Sequence, residues 1–445
     1  MSAVTLNDRA PDGAWPSPLL AWWTLLVFFI VAVLSYSDRL VLSLLVDPIR
    51  ADLKLLDTEV ALVQGLAFAM IYSVASLPFG RLADMMARRM VIVAGVIMWS
   101  LCTAACAYAD GFGTLFAARI GVGIGEAAFA PAAVSMIADL FPPHRRGLAI
   151  GCLLTGMAVG SGAAIVIGGG LLEYANGGGL AALPLLGPWL GGVAPWRSVL
   201  LVLGLAGIGP VLLLLTLREP QRRRHGDEPT HLPDLKSVLA QFRLRAGVLL
   251  PLYLAVSLIS AGDFAIQNWF PALLSRRFGY SPGDIAATAG TVSILIGGLG
   301  TIAGGLLSDR HAGRGGNRGR LSVAMLALLV GLGGGCIALA GSGGVAIALF
   351  AVCIFNSSIG SAVGITVLQN VVPNQMRGVG TALVSFCNVI MGLAVGTALP
   401  ALLTDYLFRD PQKVGWSMSI VALTSGIAAL LMLRRARNGM VPDGR

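Results

Sequence analysis

Five ionisable side chains of this sequence lie within long apolar runs, where charged residues are otherwise rare: Asp38, Arg39, Arg119, Glu126 and Asp263. A charge in the hydrocarbon region of a bilayer costs at least about 2.5 kcal/mol, so each of these groups needs a partner or a function. The carboxyl groups can bind and release protons, and the guanidinium groups can bind anions. The five residues are therefore the first candidates for a functional site.

The spacing of these residues places two opposite charges at one depth. Asp38 lies eight residues before the end of an apolar run at 19–46, and Arg119 lies seven residues after the start of another at 112–138. At a rise of about 1.5 Å per residue, they lie about 12 and 10 Å from the same membrane surface. The geometry therefore permits a salt bridge between them. Glu126 lies two turns deeper than Arg119 on the same helix face.

Three interpretations of this cluster stay open, and the second and third overlap. In the first, Asp38 and Arg119 form a structural clamp. In the second, Asp38 is a proton site, and its protonation frees Arg119. In the third, Arg39 or Arg119 binds an anionic head group directly, and Glu126 is the proton site.

The composition indicates the elements that must position these charges. Hydrophobic residues make up 56% of the 445 residues and charged residues only 12%, and the mean hydropathy is +0.81. This composition is typical of a polytopic membrane protein, since soluble proteins have about a quarter charged residues. A spanning helix needs about 20 apolar residues. Twelve runs meet this length, and they lie near 19–46, 60–80, 89–109, 112–138, 146–173, 196–217, 247–275, 285–307, 321–341, 344–372, 376–404 and 413–434.

The polar segments divide and orient these runs. One long polar stretch predicts an N-terminal six-helix bundle over 1–217, a cytoplasmic linker over 218–245 and a C-terminal six-helix bundle over 246–445. With both termini in the cytoplasm, 22 of the 31 Lys and Arg residues face inwards and 7 outwards, while Arg39 and Arg119 lie inside helices. This split follows the positive-inside rule. The net charge of +9 therefore reflects topology and attraction to lipid head groups and requires no nucleic-acid partner.

The two halves of the sequence are related by duplication. A shift of 225 residues places Asp38 on Asp263, Gly80 on Gly305 and Asp84 on Asp309. Internal repeats of six helices are typical of secondary transporters, whose substrate site lies between the repeats. Asp263 is thus expected either to act in substrate binding or gating, or to be a remnant of the duplication near the outer mouth.

The ends of the second and eighth runs carry a repeated motif. The segments Gly80-Arg81-Leu82-Ala83-Asp84-Met85-Met86-Ala87-Arg88-Arg89 and Gly305-Leu306-Leu307-Ser308-Asp309-Arg310 resemble the GxxxD(R/K)xGxRR signature of the major facilitator superfamily, with departures at Met85 and Ala87. The glycines are expected to let two helices approach closely. The charged residues are expected to form a latch that holds the cytoplasmic side shut. We call this set the inner latch: Gly80, Asp84, Arg88, Asp309 and Arg310.

A narrower resemblance covers the first half. The runs Tyr36-Ser37-Asp38-Arg39, Gly123-Ile124-Gly125-Glu126-Ala127-Ala128 and Ile137-Ala138-Asp139-Leu140-Phe141-Pro142 look like the spinster-type branch of that superfamily. The resemblance implies lysolipid or sphingosine-phosphate transport, with Tyr36, Arg39 and Arg119 at the substrate or gate. That branch shares features with organic-anion symporters, so the resemblance does not fix the substrate.

Other features limit the alternatives. The six cysteines show no zinc-site or redox spacing, the sequence has no P-loop, and it shows no plausible catalytic constellation, so we expect neither an enzyme nor a metal site. The second half offers polar but neutral residues (Gln267, Asn268, Asn356, Gln369 and Asn388), so one cavity wall is charged and the other is not. That contrast suits an amphipathic ligand.

The sequence therefore predicts an all-α membrane protein of twelve helices in two pseudo-symmetric six-helix bundles. We expect a secondary active transporter that works by alternating access, uses the proton gradient without any cofactor and moves an amphipathic organic anion. The alternatives are a symporter of small, hexuronate-like organic acids, a drug or metabolite efflux protein, a channel, and a lipid scramblase or receptor. We expect a monomer in contact with membrane lipid, and the bias towards arginine, alanine and glycine favours a bacterial plasma membrane.

Overall fold

The computed structural model describes residues 15–180, 182, 187, 192–222, 242–372 and 377–440. Within these residues no β-strand occurs, and twelve helices are long and apolar enough to cross a membrane. They are α1 (Pro18–Ser43), α2 (Asp57–Met85), α3 (Arg88–Cys106), α4 (Phe112–Leu140), α5 (His144–Asn176), α6 (Pro195–Thr216), α7 (Ala246–Phe278), α8 (Pro282–His311), α9 (Gly315–Leu339), α10 (Gly343–Val371), α11 (Leu383–Phe408) and α12 (Pro411–Gly439). Each predicted run overlaps one of these helices, so the predicted fold class is confirmed. Of the predicted linker 218–245, residues 223–241 lie outside the described residues.

Irregular turns in α2 and α8 reproduce the internal repeat. A π-helical turn covers Leu62–Leu66 in α2, and another covers Ala286–Gly290 in α8. These positions correspond within one residue at the shift of 225. The backbone beside each turn packs across the two halves: a side chain at Gly65 would collide with the Leu393 carbonyl of α11, and one at Gly290 would collide with Val166 of α5.

The two halves share a hydrophobic core at only one end of the described molecule. That core joins residues such as Leu45 and Val60 of the first half to Trp269 and Phe350 of the second. Two other cores lie towards the opposite end. One belongs almost wholly to the first half and reaches only Leu393 and the half-buried Phe264 of the second, and the other belongs to the second half alone. The positive-inside count assigns the shared core to the outside, so we call that end the outer end and the opposite one the inner end. The molecule is closed at its outer end, and its halves have separate cores at the inner end.

Charged residues tie the halves together at the outer end. Arg276 of α7 donates to Asp47, in the segment between α1 and α2, at 2.8 Å and to Asp57 at the start of α2 at 2.7 Å. The side chain of Arg276 is 6% exposed and that of Asp57 is fully buried. We call Arg276, Asp47 and Asp57 the outer lock. Nearby, Asp405 of α11 accepts hydrogen bonds from the backbone and hydroxyl of Thr58. The outer closure therefore combines apolar packing with charge-assisted bonds.

The Arg276→Ala variant is expected to loosen this closure. Removing one partner of a buried ion pair costs about 3–5 kcal/mol when the other charge is left alone. Asp57 keeps a second partner, Arg50, at 3.2 Å, so the loss here should be smaller. Hydrogen–deuterium exchange of the backbone over residues 44–58 should become at least about tenfold faster, since about 1.4 kcal/mol corresponds to a factor of ten. The matched control is Arg277→Ala, since Arg277 bonds to the Ala338 carbonyl within its own half. Equal exchange over 44–58 in wild type and Arg276→Ala would show that the outer lock does not hold this end shut.

Candidate functional site

Four buried charges of the first half lie directly beneath the shared outer core. Asp38 and Arg39 lie at the end of the α-helical part of α1, which runs to Leu40 and continues as a 3₁₀ turn over Val41–Ser43. Arg119 and Glu126 lie on α4. All four are at most 7% exposed. We call Asp38, Arg39, Arg119 and Glu126 the N-half charge cluster.

The central ion pair of this cluster joins Arg39 to Glu126. The Arg39 Nη2 atom lies 2.6 Å from the Glu126 Oε2 atom. The Ser35 hydroxyl donates to the same oxygen at 2.8 Å. Among the described residues, the other carboxylate oxygen, Oε1, has no hydrogen-bond partner. One oxygen of Glu126 thus receives both donors, and the second is free to carry a proton.

Aromatic rings surround the guanidinium of Arg39. Its central carbon lies 4.5 Å from the ring centre of Tyr36, 4.3 Å from that of Phe68 and 5.1 Å from that of Tyr72. Cation–π contacts of this kind are worth about 2 kcal/mol when desolvated. The Arg39 cation therefore keeps favourable contacts even when its carboxylate partner changes. Tyr36 and Tyr72 are half-buried, so this side of the cage is accessible.

The expected salt bridge between Asp38 and Arg119 is not formed. Arg119 donates to the backbone carbonyls of Asp38 and Arg39, at 3.4 and 3.5 Å. The carbonyls in the last turn of an α-helix lack intrahelical partners and attract cations, which explains this geometry. In the described residues, the Asp38 carboxylate receives only the Thr103 hydroxyl, at 3.3 Å, and its Oδ1 atom has no partner. The depth estimate was right, but the pairing was wrong.

Asp263 lies apart from the N-half charge cluster. It occupies the middle of α7 rather than the outer mouth, so the expected position is corrected. Its Oδ1 atom accepts from the Ser357 hydroxyl of α10 and its Oδ2 atom from the Gln267 amide, both at 2.8 Å. The two halves therefore hold separate carboxyl sites, that of the second half being half-buried.

The first copy of the inner latch motif makes contacts only within the first half and the start of the linker. Arg88 is 1% exposed and pairs with Asp139 of α4 and with Glu219. Asp84 is 74% exposed on its side chain and lies 4.0 Å from Arg222. In this conformation neither charge bridges the two halves.

The second copy of the motif likewise forms no contact with the other half among the described residues. Asp309 lies 3.5 Å from Arg320 of the same half, and Arg310 is exposed. A side chain added at Gly80 or Gly305 would meet no atom within 4 Å. The close helix approach expected at these glycines is therefore absent in this conformation, because the inner ends of the halves lie apart.

Several residues of the site were not identified from the sequence. Phe68 and Tyr72 are spaced by four residues on α2, and this helical spacing is a signal that places two rings on one face. Ser35 and Thr103 gave no such signal, because single hydroxyl residues are common in apolar helices. Arg276 of the outer lock was counted as an ordinary outer-loop charge.

Comparison with known proteins relates the chain to a described family. The family profile described as Major Facilitator Superfamily matches residues 27–177 and 170–397. A protein of Mycolicibacterium smegmatis described as an MFS-type efflux pump is 28% identical, over 96% of this chain and 96% of that protein. Protein spinster of Drosophila melanogaster is 27% identical, over 67% of this chain and 48% of its own length.

A solved structure has the same fold. It is a bacterial homolog of the human lysosomal transporter Spinster in an inward-facing and unoccupied conformation. The TM-score is 0.76 at 23% sequence identity, and the match covers 95% of this chain and 97% of that chain.

The central ion pair should be sensitive to loss of one partner. Arg39→Met should destabilise the protein by about 3–5 kcal/mol, because Glu126 is then a buried charge without compensation. The double variant Arg39→Met/Glu126→Leu should recover most of the stability. Denaturant unfolding in micelles measures these values.

The control for this experiment is Arg320→Met, which removes a largely exposed pair with Asp309. Its cost should be at most about 1 kcal/mol. If Arg39→Met cost no more than this control, Glu126 would not depend on Arg39 for its compensation.

Proposed function

Since the chain belongs to the major facilitator superfamily and is a membrane transporter, we propose that it couples proton movement to transport of an amphipathic organic anion by alternating access. A lysophospholipid or a sphingoid phosphate has the required chemistry. The observation that carries this proposal is the pair of Arg39 and Glu126 inside its aromatic cage.

The proposed binding step is an exchange of anions on Arg39. An anionic head group competes with the Glu126 carboxylate for the guanidinium. Protonation of Glu126 removes that competitor, and the unpartnered Oε1 atom can accept the proton. Arg39 then binds the head group, while the three rings retain its position. One proton and one anion are thus bound together.

Asp38 and Arg119 complete the proposed mechanism. Arg119 fixes the end of the α-helical part of α1 through two carbonyls, so a movement of α1 changes the surroundings of both neighbouring charges. The Asp38 carboxylate has a single hydroxyl donor and no ion pair among the described residues, which makes it a second proton candidate. Proton uptake there would be tied to the position of α1.

The proposed transport cycle alternates between the two ends. In the present conformation the outer lock is closed and the inner latch residues are separated from the opposite half. Opening the outer end requires breaking the bonds of Arg276. Closing the inner end would bring Asp84 of α2 and Arg88 of α3 towards the second half. In the proposed orientation both termini lie in the cytoplasm of a bacterial cell.

The amphipathic nature of the substrate follows from the contrast between the halves. The polar groups of the second half are largely satisfied within that half: Asn268 donates to Thr397, and Asn388 accepts from Ser260. A ligand therefore meets cationic groups on the side of the first half, while the second half offers one carboxyl group, Asp263, among neutral ones. The resemblance of the first half to the spinster-type branch implies a lipid-like substrate, and the similarity to an MFS-type efflux pump supports efflux as the second candidate.

A ligand panel should identify the class of substrate. A lysophosphatidate should raise the melting temperature of the purified protein, because a ligand at a hundredfold excess over its Kd stabilises the folded state by about 2.7 kcal/mol. The effect should weaken as the pH rises, since Glu126 then reclaims Arg39. In Glu126→Gln it should be independent of pH. Glu59→Gln is the matched control, because Glu59 caps the start of α2 at the outer end.

Each outcome of the panel has a defined meaning. Stabilisation by glucuronate but not by the lysolipid would favour the small organic-acid symporter. Stabilisation by neutral hydrophobic drugs alone would favour efflux of uncharged compounds. A lysolipid effect that keeps its pH dependence in Glu126→Gln would contradict the role of Glu126.

Asp38→Asn should weaken the pH dependence of transport in proteoliposomes. The amide cannot exchange a proton at this position, so accumulation driven by a pH gradient should fall, while Glu126 still binds its proton. Uptake of a radiolabelled lysolipid measures the effect. Asp110→Asn, which changes an exposed loop carboxylate, should behave as wild type. Unchanged pH dependence in Asp38→Asn would remove Asp38 from the mechanism.

A further inference from the structure

Asp263 is a carboxyl group inside the membrane-spanning part of the second half that only neutral groups contact. The Ser357 hydroxyl of α10 binds one of its oxygens and the Gln267 amide binds the other. The proposed exchange on Arg39 does not use this residue. The contacts of Asp263 are therefore independent of that exchange.

Among the described residues, the helices around Asp263 place no basic side chain beside its carboxyl group. On α10 the neighbouring titratable group is the thiol of Cys353, and α12 contributes the neutral Ser425. The basic residues of α9 lie near its inner end, and those of α12 lie near its two ends, Lys413 at the outer one and Arg434 at the inner one. The π-helical stretch of α11 beside α7, Asn388–Gly396, contains no titratable side chain. In the part of the chain described here, Asp263 has no basic partner.

The internal repeat shows which residue of the first half corresponds to the missing cation. At the shift of 225, Asp38 corresponds to Asp263, but Arg39 corresponds to Phe264. In the first half a fixed arginine accompanies the carboxyl groups. The second half keeps a carboxyl group and has an aromatic residue in place of that cation.

A small cavity lies beside Asp263. Its volume is about 40 Å³, and its lining includes Asp263, Ser357, Cys353, Ser425 and Gly262. A cavity that holds a water molecule needs about 10–15 Å³ and two or more polar partners. This cavity meets both requirements, because the carboxylate and two hydroxyl groups border it. The cavity therefore has room for a water molecule or one small cation beside the carboxylate.

We propose that Asp263 is the centre of a second ion site, which takes up one small monovalent cation, H⁺ or Na⁺. Binding of a proton forms one O–H bond on the carboxylate, and binding of Na⁺ adds oxygen contacts from Asp263 and the hydroxyl groups of Ser357 and Ser425. In both cases the charge of the site changes from −1 to 0. The mobile cation supplies the compensation that the arginine supplies in the first half.

Within the transport cycle this site would carry a second coupling ion, and this consequence rests on the proposed function. The site itself does not depend on that proposal, because ion binding can be measured without any transported substrate. It is also separate from Glu126, so the variant Glu126→Gln should leave it intact.

Infrared difference spectroscopy of the full chain in lipid nanodiscs tests the proposal. Spectra are recorded between acidic and alkaline buffers, each with NaCl or with KCl. For proton binding, wild type should show the C=O stretch of a buried carboxylic acid that disappears on alkalinisation. For Na⁺ binding, NaCl but not KCl should shift the carboxylate bands. Either signal should be absent from Asp263→Asn and retained in Glu126→Gln and in the exposed control Asp110→Asn.

A second variant keeps the carboxyl group. Ser357→Ala removes the hydroxyl that donates to Oδ1, so the assigned band should remain but change frequency. This variant keeps the test decisive if Asp263→Asn fails to fold. An ionised carboxylate in wild type that responds to neither pH nor Na⁺ would overturn the proposal, and so would a band that Ser357→Ala leaves unmoved. Both results would leave the role of Glu126 untouched.

Discussion

The cost of a charge in hydrocarbon is the constraint on which this structure depends. The four charges of the first half sit at one place because each satisfies another: Glu126 compensates Arg39, and the carbonyls of Asp38 and Arg39 receive Arg119. The hydrogen bonding of the two carboxylates is incomplete, since one oxygen of each lacks a partner among the described residues. Each of these oxygens can accept a further donor, which is the property that the proposed exchange of partners uses.

Packing between the halves determines which end of the molecule is closed above the charge cluster. The shared core and the outer lock close one end above the charge cluster, while the two inner cores are separate. Because apolar packing and the bonds of Arg276 act together, the outer closure can be strong and yet reversible through a few contacts. The motif residues Asp84, Arg88 and Asp309 bond only within their own halves or to the start of the linker in this conformation.

The sequence predicts the fold well, because apolar runs of about twenty residues have few alternatives in a bilayer. It also predicts depth, since depth depends only on the rise per residue, and Arg119 indeed reaches the level of Asp38. It does not predict rotation about the helix axis, so the partner of Arg119 was wrong and the pair of Arg39 and Glu126 was not foreseen. The outer lock joins residues more than 200 positions apart in sequence. The separation at Gly80 and Gly305 belongs to one conformation, and a sequence encodes several.

The paired π-helical turns of α2 and α8 carry information about ancestry. A π turn usually marks one residue inserted into an α-helix, and such turns persist mostly at functional positions. Two independent insertions at matching places are less economical than one that was copied. One insertion copied by the duplication is therefore the simpler explanation of the two matching turns, and both turns lie where the two halves pack against each other.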